Sequence, residues 1–300
     1  MGATGSARRK AAAPQAFKAS GGEALRRAEP LAPRRQYRER EGVTPSHFPL
    51  NRATPQAMPL LFHISDLHFG AEDRTALALL REAIAEHRPD AIICTGDLTM
   101  RGTTREFDAA AAWLGTLPVP VSLEPGNHDI PYYWEMLKRL RQPFARYAQM
   151  RRAVHRDLAV DGMALVSLPT VAPAQWRLNW SKGCVRPRVL ASALAQLREA
   201  GAARIRLVAC HHPLVDADTH GSGQTRGGRA ALAALAGAGA HGVLSGHVHD
   251  PFDLTIEAAG RPMRLIGAGT LSQRLRASRP GYNRLEWSAE GGLGVTAVSL

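Results

Sequence analysis

The sequence predicts an α/β fold with its chemistry gathered at one edge of a buried sheet. Three features of the 300-residue chain predict it. Short, near-continuous apolar runs recur, the pattern of strands covered on both faces. Helical stretches separate many of them. Five of the runs end in a polar cluster: Asp66-Leu67-His68, Gly96-Asp97, Gly126-Asn127-His128-Asp129, His211-His212-Pro213 and Gly246-His247-Val248-His249. Polar groups that emerge where such strands stop converge where α/β sheets usually bind ligands.

The elements follow in order. Leu60–Ile64 is the first strand, and Asp73–His87 a helix with Leu77, Leu80 and Ile84 on one face. Ala91–Cys94 is the second strand. Thr103 or Thr104 caps the next helix, which carries Phe107, Ala111 and Leu114 inward. Val119–Leu123 leads to the Gly126 loop. Pro131–Met150 divides into two short helices at Pro143, and its aromatics, Tyr132, Tyr133, Trp134, Phe144 and Tyr147, are expected in the core. Met163–Leu168 is a strand, and an irregular stretch follows with Trp176 and Trp180. Pro187–Glu199 is a helix with proline placed early. Ile205–Cys210 and Gly242–Leu244 are buried strands. Between them Asp216–Gly228, rich in glycine, reads as a flap with His220 at its centre. From Phe252 onward terminal strands are expected, among them Met263–Ile266, Tyr282–Trp287 and Leu293–Ser299.

The clusters offer Asp66, His68, Asp97, Asn127, His211, His247 and His249 as metal ligands. Imidazole suits zinc and iron, carboxylate tolerates manganese, and the lack of cysteine in the clusters argues against a structural thiolate zinc. Seven ligands exceed one tetrahedral ion and fit two if a carboxylate is shared, with Asp97 the natural bridge. Two ions about 3.5–4 Å apart clamp both oxygens of a phosphoryl displacement and activate a hydroxide. Glycine before the ligands permits tight turns that aim them inward.

This ordered set of motifs resembles that of the calcineurin-like metallophosphoesterases, over about Pro59–Leu300, and Ile64-Ser65-Asp66-Leu67-His68-Phe69-Gly70 is similar to the branch with the bacterial class III cyclic-nucleotide phosphodiesterases. The resemblance implies a sandwich of two mixed β-sheets flanked by α-helices. It implies two divalent or trivalent ions (Mn, Fe or Zn), one on Asp66, His68, Asp97 and His249, the other on Asp97, Asn127, His211 and His247. His128 is then the acid that assists the leaving group. A small phosphoester, most naturally a diester, is the implied substrate. A nuclease or phosphomonoesterase of the same fold is the alternative, and the full ligand set argues against a non-catalytic scaffold. A homodimer stays open.

Further residues carry paired readings. Asp129 either fixes the tautomer of His128 as a second catalytic residue or caps a helix near Pro131. His212 contacts substrate or packs beneath the loop. Arg101 echoes a phosphate-binding arginine of serine/threonine protein phosphatases, against the plainer reading of a solvated side chain. His220 is a substrate contact or an exposed loop residue.

The net charge is +12, and +7 of it lies in residues 1–57, rich in Ala, Gly, Pro and Arg. That basic tail is expected to be disordered, because alanine buries too little surface to offset ordering entropy. With Met58 beside the first strand, the tail reads most simply as an artefact of start-site choice; a nucleic-acid-binding arm is disfavoured by its few aromatics. The phosphoesterase domain is expected over 58–300. Three widely spaced cysteines fit a reducing cytoplasm, and no apolar run of about twenty residues spans a membrane.

Overall fold

The computed structural model describes residues 58–300 apart from 176–178, 202, 218, 220–224 and 288–291. The expectations for the tail, for Trp176 and for His220 with the middle of its flap lie outside the described residues. Everything below belongs to the compact unit Thr54–Leu300.

Two five-stranded mixed sheets form the centre. The first has the order β10-β9-β1-β2-β3, built from β1 (Leu60–Ile64), β2 (Ala91–Cys94), β3 (Val121–Leu123), β9 (Gly281–Trp287) and β10 (Leu293–Ser299). The second has the order β4-β5-β6-β8-β7, from β4 (Met163–Ser167), β5 (Ile205–Ala209), β6 (Gly242–Ser245), β7 (Phe252–Ala258) and β8 (Arg261–Gly267). β1, β2 and β3 run parallel, as do β4, β5, β6 and β8; β9, β10 and β7 pair antiparallel. The burial follows from this. Central parallel strands such as β2 and β6 are buried throughout, whereas the outer antiparallel β7 alternates half-buried and exposed positions.

Leu61, Ile93 and Trp287 of one sheet pack with Leu207, Leu244 and Ile266 of the other in a shared core. The outer face of the first sheet is covered by α1 (Arg74–His87), α2 (Thr104–Leu114) and α4 (Ala145–Val154), and that of the second by α5 (Pro187–Glu199) and α6 (Gly228–Gly237). Asp73 Oδ1 accepts from the amides of Thr75 and Ala76 at 3.0 Å, which starts α1. Of the two threonines expected to cap α2, Thr103 does so, in a reciprocal pair with Glu106.

The segment after the third motif divides as expected, into α3 (Met136–Arg141), preceded by a turn of 3₁₀ helix at Tyr133–Glu135, and α4. Its aromatics only partly enter the core. Tyr147 is buried and donates to the carbonyl of Leu123 at 2.8 Å, but Tyr133, Trp134, Leu137 and Leu140 are exposed, because the two-turn α3 is tied down by Arg139 rather than by an apolar face. Cys94 and Cys210 are buried, free thiols within strands or at their ends, as expected of small core residues. Among the described residues no helix is long and apolar enough to cross a membrane.

Candidate metal centre

Every parallel strand points its C-terminal end toward one rim. Asp66 and His68 follow β1, Asp97 follows β2, Asn127 and His128 follow β3, His211 follows β5, and His247 and His249 follow β6. The loops are stitched together by backbone bonds: the amides of Asp66 and His68 donate to the carbonyls of Gly96 and Asp97, both at 2.9 Å, and Gly246 N to His211 O at 2.9 Å.

The chain turns sharply to present these side chains. Asp66, His68, Asp97, His247 and His249 all have positive φ, between 45° and 69°. Such angles cost a non-glycine residue on the order of 1 kcal/mol each and persist only where the surroundings over-determine them. The motif glycines divide their work differently from the expectation. Gly96, with φ +101°, is the conformational one. Gly126 and Gly246 supply clearance: a Cβ on Gly126 would lie 2.1 Å from the amide of Asp97, and one on Gly246 would lie 1.8 Å from Ser65 Oγ and 2.5 Å from Asp66 Oδ2.

Asp66, His68, Asp97 and His249, all buried, bring one ligand atom each within 4.8 Å of one another. Asp97 Oδ2 lies 3.7 Å from His68 Nε2 and 3.3 Å from His211 Nε2, while its Oδ1 accepts the amide of His128 at 2.8 Å. His211 Nε2 also faces Asn127 Oδ1 at 3.2 Å, and the His247 and His211 rings meet edge to face at 5.2 Å. The seven predicted ligands therefore lie at one rim, with Asp97 Oδ2 near the Nε2 atoms of both His68 and His211.

The imidazoles are held from behind. Nδ1 of His68, His211 and His249 meets the carbonyls of Thr99 (3.3 Å), Thr95 (2.8 Å) and Arg274 (2.5 Å). A donor at Nδ1 turns Nε2 into the site, the arrangement that orients metal-ligating histidines. Asp66 Oδ1 is buried without a hydrogen bond, and His249 Nε2 stands 3.2 Å from it. This donor set, anionic oxygens beside inward imidazole nitrogens and an orphaned carboxylate oxygen, fits divalent cations. Burial alone would lower His211, yet the Asp97 and Asp66 carboxylates raise it to about 9. Burial alone would raise Asp66, yet His249 and its neighbours hold that carboxyl well below the usual range.

His212 also approaches His211 and His247. Its Nδ1 meets Thr170 Oγ1 at 2.9 Å and its Nε2 meets Ser181 O at 2.7 Å. With both ring nitrogens in hydrogen-bond contact and the ring buried, it ties the loops after β4 and β5 together. Asp129 departs from both of its readings. It accepts from the amides of Gly126 (2.8 Å), Leu98 (3.1 Å) and Thr99 (2.9 Å), joining two motif loops, and no side chain caps the 3₁₀ turn at Tyr133–Glu135 or α3. Burial first, then the Asp97 charge, raises its carboxyl to about 7. The ring of His128 is held instead by the carbonyl of Met100, 2.6 Å from Nδ1. Arg101 is exposed and is not among the residues lining the cavity over the cluster.

A cavity of about 200 Å³ opens over the cluster, lined by Asp97, Asn127, His128, His247 and His249 together with Asn179, Ser181, Lys182, Arg274 and Arg276. The sequence reading missed the last five. The signal for Arg274 and Arg276 was the rule that exposed the five clusters, because they follow the C-terminal end of a parallel strand, β8.

Comparison with known proteins agrees with this geometry. The model of the calcineurin-like phosphoesterase family matches residues 60–251. The glycerophosphodiester phosphodiesterase GpdQ of Enterobacter lignolyticus is 29% identical over 166 residues, 51% of this chain; the match spans only 56% of that relative's length. The cAMP/cGMP dual specificity phosphodiesterase MT0825 of Mycobacterium tuberculosis is 27% identical over 250 residues, covering 76% of this chain and 72% of the relative. Two solved structures share the fold: a dimetal phosphatase from Danio rerio (TM-score 0.57, 15% identity, 80% of this chain and 97% of that one) and a purple acid phosphatase from yellow lupin (TM-score 0.58, 11% identity, 81% and 52%).

Proposed function

The chain belongs to the calcineurin-like phosphoesterase family, and from that premise we propose that it hydrolyses small phosphodiesters at a two-metal centre bridged by Asp97. The observation that carries this reading is the position of Asp97 Oδ2, between the inward nitrogens of His68 and His211. Asp66, His68, Asp97 and His249 would hold one ion, and Asp97, Asn127, His211 and His247 the other; manganese, iron and zinc all suit such ligands. When bound, the pair supplies Lewis acidity and a strongly acidified water.

The chain's own groups do the rest. Positive φ angles and carbonyl-held imidazoles keep the ligands preorganised, so little reorganisation accompanies reaction. His128, fixed through Nδ1 by Met100, turns Nε2 into the cavity, where it assists the departing alkoxide. Burial, His68 and the nearby Arg274 charge hold its pKa below the usual imidazole value despite the opposing pull of Asp97. A substrate anion alongside raises it again, since an opposite charge favours the protonated ring.

The diester preference is supported by the two curated relatives, whose names record diester substrates. It also accords with a cavity smaller than the ~300–1,000 Å³ of usual small-molecule sites, which receives a phosphoryl group and leaves the alcohol outside. A reducing, cytoplasmic setting belongs to the same reading, supported by two thiols buried in the strands' own core.

The test is turnover by purified, manganese-reconstituted protein of cyclic AMP, cyclic GMP, glycerophosphodiesters, a bis-nitrophenyl diester, the matching monoester and single-stranded DNA. Diester hydrolysis that disappears with chelation is the expected result. Preference for the monoester overturns the diester reading, and chelator-independent turnover overturns the metal one.

A further inference from the structure

We propose that Arg274 is a substrate-binding residue that grips the phosphoryl oxygens of the ester beside His128. This rests on the phosphoesterase reading of the site and adds a residue that the ligand motifs do not contain.

Four observations carry it. Arg274 lies in the loop after β8, at the same rim as the candidate ligands, and lines the cavity that Asp97, Asn127 and His128 also line. Its guanidinium reaches over the cluster: Nη1 stands 3.1 Å from His128 Nε2 and 3.4 Å from His68 Nε2. Its position is fixed from the backbone, where the Arg274 amide donates to Ser272 Oγ at 3.2 Å and the Arg274 carbonyl meets His249 Nδ1 at 2.5 Å. Finally, it forms no carboxylate pair among the described contacts, unlike Arg146, Arg264 and Arg284, each paired to an acid.

A guanidinium is a fork of donors matched to phosphate. Here two of the nearest groups are imidazole nitrogens, which occupy only Nη1 and leave the remaining donors available to an anion entering from the cavity mouth. The cavity itself is cationic at its rim, since Arg276 and Lys182 line it as well. The partner this arrangement recognises is a phosphoester whose non-bridging oxygens meet Arg274 while the leaving oxygen faces His128. As charge builds on those oxygens the guanidinium holds it more strongly than in the ground state, so the residue contributes to turnover as well as to binding. Because the link to His249 runs through the Arg274 carbonyl, replacing the side chain spares the support of that ligand.

The experiment compares wild type, Arg274→Ala and Arg274→Lys, reconstituted with manganese, by three readouts: metal content, calorimetric binding of inorganic phosphate, and kcat/KM for the bis-nitrophenyl diester. For Arg274→Ala we expect two metals retained, phosphate binding weakened at least about tenfold, and kcat/KM lowered by about 10²–10³-fold, the scale of losing one preorganised donor. Arg274→Lys should recover part of both losses, since a point charge replaces the fork. Phosphate affinity and kcat/KM within twofold of wild type in Arg274→Ala overturn the proposal. So does loss of metal in that variant, which would make Arg274 a support for His249. If wild type turns over no phosphoester but phosphate binding still depends on Arg274, the phosphoesterase reading fails and the anion site stands.

Discussion

Replacing Gly246 by alanine tests how tightly the loops fix the candidate ligands. The added Cβ would lie 1.8 Å from Ser65 Oγ, 2.7 Å from Ser65 Cβ and 2.5 Å from Asp66 Oδ2. Ser65 and Asp66 are fully buried, so neither side chain can swing into solvent. Rotating Ser65 relieves the first contact but not the other two. Asp66 must move, and its Oδ2 then loses the amide of His247 at 2.9 Å. Overpacking of this kind costs about 1–3 kcal/mol, and a buried group left unsatisfied costs a further ~1–3 kcal/mol. A total of about 2–6 kcal/mol is expected in urea unfolding, with metal content falling because Asp66 is displaced. The double variant Ser65→Ala/Gly246→Ala removes the 1.8 Å contact alone, so it should regain part of the stability and little of the metal. Should Gly246→Ala unfold within 0.5 kcal/mol of wild type and carry the same metal, the loops are softer than the geometry implies and the reasoning fails.

Three further substitutions probe separate groups. Glu124 is buried against Ser167 Oγ at 2.9 Å, and burial raises its carboxyl from 4.5 to about 8. The folded protein therefore keeps this proton where the unfolded chain has released it, and stability falls as pH rises from about 4.5 to 8. At about 1.4 kcal/mol per unit the loss approaches 5 kcal/mol, less wherever water in the adjoining cavity screens the charge. Glu124→Gln should flatten that slope in denaturation at pH 5 and pH 8.5, and an unchanged slope would refute the assignment. Asp129→Ala leaves three buried amides without an acceptor, so a loss of about 3 kcal/mol or more is expected in urea unfolding; stability within 0.5 kcal/mol of wild type would refute its part in joining the loops. His212→Gln should keep two metals per chain by elemental analysis, because both nitrogens of the native ring are already bonded; loss of one metal would place His212 among the ligands.

The central strands and the rim were legible because apolar runs and chemical clusters coincide: a run such as Ala91–Cys94 is buried at every position, and its motif begins two residues later. Asp97 Oδ2 lies 3.7 Å from His68 Nε2 and 3.3 Å from His211 Nε2, and that Asp97 sits among the histidines of the other clusters was legible from the motifs. Arg274 was not, since an arginine in a loop looks like any solvated charge until the direction of β8 is known. Nor were the duties of Asp129 and Gly246, which depend on contacts between loops far apart in sequence. Tyr133 and Trp134 misled for a related reason: aromatic spacing suggests a buried face, but α3 is anchored through Arg139, which bonds the carbonyls of Pro131 and Pro173 at 2.8 Å.

The central claim, two metal ions on seven side chains around Asp97, is tested most directly by crystals of manganese-loaded protein examined by anomalous scattering. Two peaks about 3.5–4 Å apart, one on each side of Asp97 Oδ2, are predicted. A single peak, or none under any loading, would contradict it.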